Sequence, residues 1–388
     1  MPIKNSFAEM HGEITGWRRH LHENPELLYD VHETAAFVVE RLKEFGITDI
    51  TTGIGRTGVV ATIKGKTDTK GRVVGLRADM DALPIEEATG AEYASKVPGK
   101  MHACGHDGHT SMLLGAAKYL AETRNFDGTA VLIFQPAEEG GAGAKAMCND
   151  GLMDRWGIQE VYGMHNEPGL SVGEFSICNG ASLASSDEFE IIVTGKGGHA
   201  AVPHEAVDTT LVAAQILISL QTIVARNVDP VKRVVLTVGT FKTDSEASNV
   251  IAHSVRMAGT VRTLDPEYRK IGEERVRRIA TDTASAFGAS AEVNWDAGYP
   301  ATINTPDETG YAADAARAVA GTVIDNADPI MPSEDFAYML EERPGAYISI
   351  GNGDSAMCHH PAFDFNDDAI PAGCSWFAEL VERRMPAL

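Results

Sequence analysis

Apolar positions recur at helical spacing in two N-terminal stretches, Glu9–His22 and Glu33–Phe45, and Gly46 stops the second. Short apolar runs then predict strands at Val59–Ile63 and Val73–Leu76, the latter running into Arg77-Ala78-Asp79-Met80-Asp81. A helix is predicted over Thr110–Glu122, followed by a strongly apolar strand, Thr129–Phe134. That strand breaks at Pro136 into Ala137-Glu138-Glu139-Gly140-Gly141, and a further strand, Val161–Met164, delivers His165. Alternating strands and helices with polar residues at the strand ends predict an open α/β sheet. Its ligands would bind beyond the carboxyl ends of the strands.

Near residue 183 the pattern changes. Phe189–Val193 alternates as a strand, Ala206–Ala225 has the period of a helix, and Arg233–Phe241 and Ser254–Val261 are strands. A helix over Pro266–Phe287 and a strand over Ala291–Trp295 complete the order β-α-β-β-α-β, the ferredoxin-like arrangement. The ends of such a unit lie close together, so it can be inserted into a host domain. The host pattern resumes with a helix at Thr309–Ala320 and a strand at Ala346–Ile350, before Cys358-His359-His360-Pro361. The predicted fold is therefore α/β: a discontinuous catalytic domain, residues 1–182 and 298–388, with a central mixed sheet flanked by helices. It carries an inserted ferredoxin-like α+β lid or dimerisation domain, residues 183–297. The alternative, two sequential domains, leaves the strand before His359 without a core.

A chain of 388 residues is long for one core, which agrees with two domains. Hydrophobic content of 44% with 23% charged residues is ordinary for a soluble globular protein. The formal charge of −22 disfavours nucleic acid and anionic membrane as partners. Five scattered cysteines, with no leader pattern in Met1–Phe7, read as reduced thiols in a cytoplasm. No apolar run reads as long enough to span a bilayer.

Between the predicted elements lies the densest chemistry, His102-Ala103-Cys104-Gly105-His106-Asp107-Gly108-His109. Thiolate and imidazole one residue apart, in a loop freed by two glycines, can aim at one divalent ion. Cys104 and His106 read as ligands, with His102, Asp107 and His109 orienting them. Three other stretches add ligand-type residues at strand ends: Glu138/Glu139, His165, and His359/His360. One ion needs three or four donors; this inventory suits two ions with one group bridging. Each stretch alone has a bland reading, since Glu-Glu pairs are usually solvated turns and a buried histidine is often a hydrogen-bonded core residue. His20 and His22, with Arg18 and Arg19, read as solvating the first helix, and Cys148, Cys178, Cys358 and Cys374 as small core residues.

The ordered set Arg77–Pro84, His102–His109, Gln135–Gly140, Gly197–Ala200 and His359-His360-Pro361 resembles the amidohydrolase family of co-catalytic metallopeptidases. That family holds aminoacylases and carboxypeptidases, and the likeness is greatest to its branch of hippurate hydrolase and indole-acetyl-amino-acid hydrolases. The resemblance covers essentially the whole chain. It implies that Cys104 bridges two divalent ions, manganese or zinc before nickel or cobalt, and that His106, Glu139, His165 and His359 are the other ligands. It implies Glu138 as general acid/base and Asp79 as the residue that orients the site. Arg77 stands where the wider family has a ligand histidine, a loss for which His106 would compensate. By the same resemblance His199, placed by the lid of a partner subunit, would stabilise the oxyanion, making a homodimer part of the active site. Asn249 and Arg262 would hold a substrate carboxylate, Arg262 by a bidentate contact. The expected activity is hydrolysis of small N-acyl or N-aroyl amino acids by a metal-activated water. The alternatives are a dipeptidase or carboxypeptidase using the same site, and a catalytically silent metal-binding member.

Overall fold

The structure is a computed structural model that describes residues 4–320 and 323–387. The first three residues of the Met1–Phe7 segment lie outside it. The chain forms two compact units: Met1–Ser182 with Ile303–Asp328 and Asp335–Leu388, and Leu183–Thr302 with Pro329–Glu334.

The first unit opens with α1 (Asn5–Glu23), α2 (His32–Glu44), β1 (Ile50–Ile54), β2 (Gly58–Lys64) and β3 (Val73–Asp79). Then come α3 (His106–Thr123), β4 (Thr129–Gln135), α4 (Gly143–Asn149) and β5 (Glu160–Pro168). In α1 the buried residues Phe7, Ile14, Trp17, Arg18, Leu21 and His22 recur at helical spacing, so one stripe faces inward. That stripe includes Arg18 and His22, both fully buried, which corrects the reading of them as solvated. The helix α3 is buried on nearly every side from His106 to Ala117, packed between α1 and the C-terminal helix. It begins four residues before the predicted start because Gly105, in the left-handed region at φ 89°, turns the chain into its first turn. His and Asp have weak helix propensity, which burial and hydrogen bonding override here.

The second unit is β6 (Asp187–Thr194), α5 (Thr209–Thr222), β7 (Val234–Thr243), β8 (Ser254–Thr263), α6 (Pro266–Ala286) and β9 (Ser290–Ala297). Its four strands lie in the order β7-β8-β6-β9, all antiparallel, which is the predicted ferredoxin-like sheet. Asp208 caps α5 and Asp265 caps α6 through their carboxylates. Val212, Ala213, Ile216 and Leu220 of α5 pack on the core of this unit. The stretch Thr209–Asn227 is, contrary to expectation, long and apolar enough by length and composition to cross a membrane, with 33% of it buried. Its apolar surplus lies on an outward face that includes Leu211 and Ile218.

The chain returns to the first unit with α7 (Pro306–Ala320), β10 (Gly345–Gly353) and α8 (Ile370–Arg384). Helix α8, absent from the sequence reading, is buried almost throughout from Ile370 to Val381 and completes the core under α3. The sheet runs β1-β2-β4-β3-β5-β10, continued by two-residue strands at Phe175–Ser176 and Val323–Ile324. Strands β4, β3, β5 and β10 are parallel neighbours, with β1 and β2 antiparallel at one edge. Four adjacent strands therefore present their carboxyl ends on one side, where an open α/β sheet binds ligands.

Candidate metal centre

Each of those four ends contributes to one site. Strand β3 ends in Asp79 with Asp81 two residues on, β4 leads into Glu138 and Glu139, β5 carries His165, and the segment after β10 carries Cys358 and His359. The first turn of α3 supplies His106, two residues after Cys104. Donor atoms of Cys104, His106 and His165 lie within 4.8 Å of one another, and so do those of Cys104, Glu139 and His359. Cys104 is the group common to both trios. A third trio, His106, Glu138 and Glu139, sets Glu138 beside them. Glu138 is 7% exposed.

Hydrogen bonds set the histidine tautomers. His106 Nδ1 lies 2.8 Å from the Asp81 carbonyl and His165 Nδ1 lies 2.7 Å from the Asn166 carbonyl. Each Nδ1–H donates to an oxygen that can only accept, so Nε2 is in each case the nitrogen left to face the site. His106 Nε2 is buried with no hydrogen-bond partner, and His165 Nε2 is 3.4 Å from Cys104 Sγ. His359 Nε2 lies 3.3 Å from Glu139 Oε1. His359 sits at φ 66°, a left-handed conformation that costs a non-glycine residue about 1–3 kcal/mol and gathers at functional sites. Its neighbour His360 is exposed and accepts from Ala362 N at 3.0 Å. Both nitrogens of His109 are engaged, Nδ1 with Asp79 at 2.7 Å and Nε2 with the backbone N–H of Asn166 at 3.0 Å. His109 thus orients Asp79 and has no lone pair to spare.

A second layer holds these groups. Asp81 Oδ1 and Oδ2 accept from the backbone N–H groups of Glu138 and Glu139 at 2.9 and 3.1 Å. Arg77, fully buried, donates to Gln135 at 2.8 Å, Asp79 at 2.8 Å and Asp335 at 3.2 Å. Asp335 also accepts from Ala144 N at 2.8 Å, and Tyr29 donates to the Gly141 carbonyl at 2.7 Å, so both pin the glutamate loop. Gly105 packs so tightly on Asn166 that a Cβ would lie 2.0 Å from Oδ1. Beneath the loop, Asp107 meets His22 Nδ1 at 2.8 Å and Arg18 at 3.6 Å, and Arg18 donates to Asp367 at 2.7 Å. His102 is buried with neither nitrogen bonded among the described residues, so it orients no ligand by hydrogen bonding.

Burial alone would raise the Asp79 carboxyl, but His106, Arg77 and His109 outweigh it and hold the group well below the usual carboxylate range. Glu139 is likewise held down against burial, by His359 and His106. Burial would lower His106, and Asp79 and Asp81 reverse that, up to about 10. The neighbouring Cys358 thiol and burial keep the Cys104 proton on. The donor set fits divalent metal: carboxylates, a thiol and imidazole nitrogens converge, and His106 Nε2 is buried among them with no hydrogen-bond partner. Loading such a centre would displace the Cys104 proton and the second His106 proton.

In the second unit, Gly198–His199 pairs with Val250–Ile251, and Ala200 N donates to the Asn249 carbonyl at 3.0 Å, so His199 and Asn249 lie together. His199 is exposed and its Nδ1 accepts from Ala201 N at 3.1 Å. Arg262 lies near the far end of β8, eight residues beyond Ser254, or about 26 Å along the strand. Its Nη1 donates to Ser333 at 3.3 Å. The sequence reading missed Asp81, Asp335 and Asn166; only Asp81, two residues beyond Asp79 at a strand end, carried a local signal.

The model of peptidase family M20/M25/M40 matches residues 75–383. The chain belongs to this family. An N-acetyl-L-cysteine deacetylase of Bacillus subtilis is 43% identical over 98% of this chain and 90% of its own length. The hippurate hydrolase of Campylobacter jejuni is 41% identical over 98% of each. The crystal structure of the Bacillus subtilis YXEP protein, a dinuclear metal-binding peptidase of family M20, superposes with a TM-score of 0.86 at 36% identity. The match covers 98% of this chain and all of that one. This M20 member is thus a metal-binding amidohydrolase.

Proposed function

We propose that the chain hydrolyses the amide bond of N-acyl or N-aroyl amino acids at a centre of two divalent ions. The observation that carries this reading is the pair of donor trios sharing Cys104. Cys104, His106 and His165 would hold one ion, and Cys104, Glu139 and His359 the other. When bound, the ions supply an acidified water and an electrophile for the amide oxygen. Glu138 takes the proton of the attacking water and returns it to the departing amine nitrogen. Asp81 fixes the backbone of that glutamate, and Asp79 keeps His109 and Arg77 in register behind the ligands. The relatives that act on N-acetyl-L-cysteine and hippurate support an acylated amino acid as substrate. The test is turnover of hippurate, a series of N-acetyl amino acids and a dipeptide panel. Release of amino acid from the acylated compounds supports the reading, whereas turnover of dipeptides alone makes the protein a dipeptidase.

The inserted domain, residues 183–297, then serves as lid and dimerisation domain. Leu211 and Ile218 of α5 and Val235 and Phe241 of edge strand β7 are exposed apolar residues that a second copy would cover. Asn249 precedes β8 and Arg262 lies near its far end, about 26 Å beyond Ser254 along the strand, so one substrate carboxylate would meet both only if different subunits supply them. His199, beside Asn249, would then reach the partner's oxyanion. Mixing inactive His199→Ala with inactive Glu138→Gln should restore about a quarter of wild-type activity through mixed dimers with one intact site. No recovery on mixing places His199 in its own chain's site.

A further inference from the structure

Cys358 belongs to neither donor trio, yet it lies against the cysteine common to both. The His359 backbone N–H donates to the Ala103 carbonyl at 2.7 Å, which ties the segment before His359 to the segment before Cys104. By peptide dimensions that bond brings the Cα atoms of Cys104 and Cys358 to about 5–7 Å, the spacing of disulfide-bonded residues. The two thiols are near enough for each to shift the other's hold on its proton. Asn166 Nδ2 is 3.7 Å from Cys358 Sγ and steadies it. Cys104 is 8% exposed and Cys358 is half-buried, so a small oxidant meets Cys358 first.

We propose that Cys104 and Cys358 form a hydroperoxide-sensitive thiol pair, whose disulfide and whose metal-bridging state exclude each other. The Cys358 sulfur attacks a peroxide oxygen; the O–O bond breaks, and the departing alkoxide or hydroxide takes the thiol proton. Cys358 is left as the sulfenic acid. The Cys104 sulfur then attacks the Cys358 sulfur; the S–O bond breaks and hydroxide leaves with the Cys104 proton as water. Two thiols and one peroxide give one disulfide, one alcohol or water, and one further water. The disulfide removes the sulfur that both ions share, while bound ions occupy the lone pairs with which Cys104 would attack. Occupied enzyme is thereby protected, and metal-free enzyme is locked until a thiol reductant reopens it. This rests on the reading of Cys104 as the shared ligand.

The experiment treats metal-free and zinc-loaded wild-type protein with hydrogen peroxide, since zinc has no redox chemistry of its own. Free thiols are blocked with iodoacetamide, and unreduced peptides are mapped by mass spectrometry alongside metal content. The expected result is a Cys104–Cys358 linked peptide in metal-free protein and about ten-fold less in zinc-loaded protein, because a coordinated sulfur attacks poorly. The linked protein should fail to take up zinc until dithiothreitol is added. Cys358→Ala should give no linked peptide and should take up zinc after the same treatment better than wild type does. Absence of the linked peptide in metal-free wild type overturns the thiol pair and leaves the ligand reading standing. A linked peptide in protein that still holds two zinc ions overturns Cys104 as a ligand, and the exclusion with it.

Discussion

His22 offers a stability measurement whose sign and size follow from the structure. It is fully buried on α1, between Asp107 at 2.8 Å and Glu87 at 3.2 Å, and Asp107 follows the proposed ligand His106 on α3. Burial pushes its pKa down, and the bonds to the two carboxylates outweigh burial and hold it up at about 9. A histidine whose pKa is higher in the folded than in the unfolded chain contributes stability that is fully present below its unfolded value of about 6.5. That contribution is lost as pH rises through about 9. The gap, at about 1.4 kcal/mol per pH unit, is worth about 3 kcal/mol. Replacing His22 by Gln removes the titration and keeps one donor and one acceptor. Urea unfolding of wild type and His22→Gln, followed by tryptophan fluorescence with EDTA present so that metal linkage does not contribute, should be compared at steps from pH 6 to 10. The wild-type advantage should be greatest near pH 6 and shrink through pH 9. Curves that stay parallel across that range refute the charged, carboxylate-clamped His22.

The adjacent glutamates should separate by phenotype. Glu138→Gln should keep its metals and lose roughly 10²–10⁴-fold in turnover, the usual loss for one acid/base group, whereas Glu139→Ala should lower metal content measured by plasma mass spectrometry. Exchanged phenotypes would reverse their roles. Asp335→Asn deprives the buried Arg77 guanidinium of the Asp335 carboxylate and loosens the loop at Ala144. It should cost about 3–5 kcal/mol, the range for breaking a buried ion pair, and lower metal content as well; a thermal midpoint equal to wild type would contradict that role.

Much of the site was legible because metal chemistry concentrates unusual residue types at strand ends. Cys104 and His106 announced themselves by spacing, and Glu138 and Glu139 by following a buried strand. The ferredoxin-like unit was legible because its strands alternate and its helices keep a helical period, while the caps at Asp208 and Asp265 fix where those helices begin. What stayed hidden depends on burial and long-range pairing, which no local pattern encodes. Arg18 and His22 sit on a helix whose charges look solvated, and their partners Asp107 and Asp367 come from distant segments. Asp335 supports Arg77 across 258 residues of chain. Strand β1, with Thr51, Thr52 and Gly53 at a sheet edge, lacks the apolar run that marked its neighbours. Cys358 read as core packing because only the bond between His359 and Ala103 brings it to Cys104.

The central claim is that two ions, joined through Cys104, are what make this chain an N-acyl-amino-acid hydrolase. Metal-free protein titrated with Zn²⁺ or Mn²⁺ while amino acid release from hippurate or an N-acetyl amino acid is followed tests it most directly. Activity should rise from zero and saturate at about two equivalents per chain, and Cys104→Ser should need far more metal to reach a lower plateau. Full activity without metal, or saturation at one equivalent with Cys104→Ser indistinguishable from wild type, would contradict it.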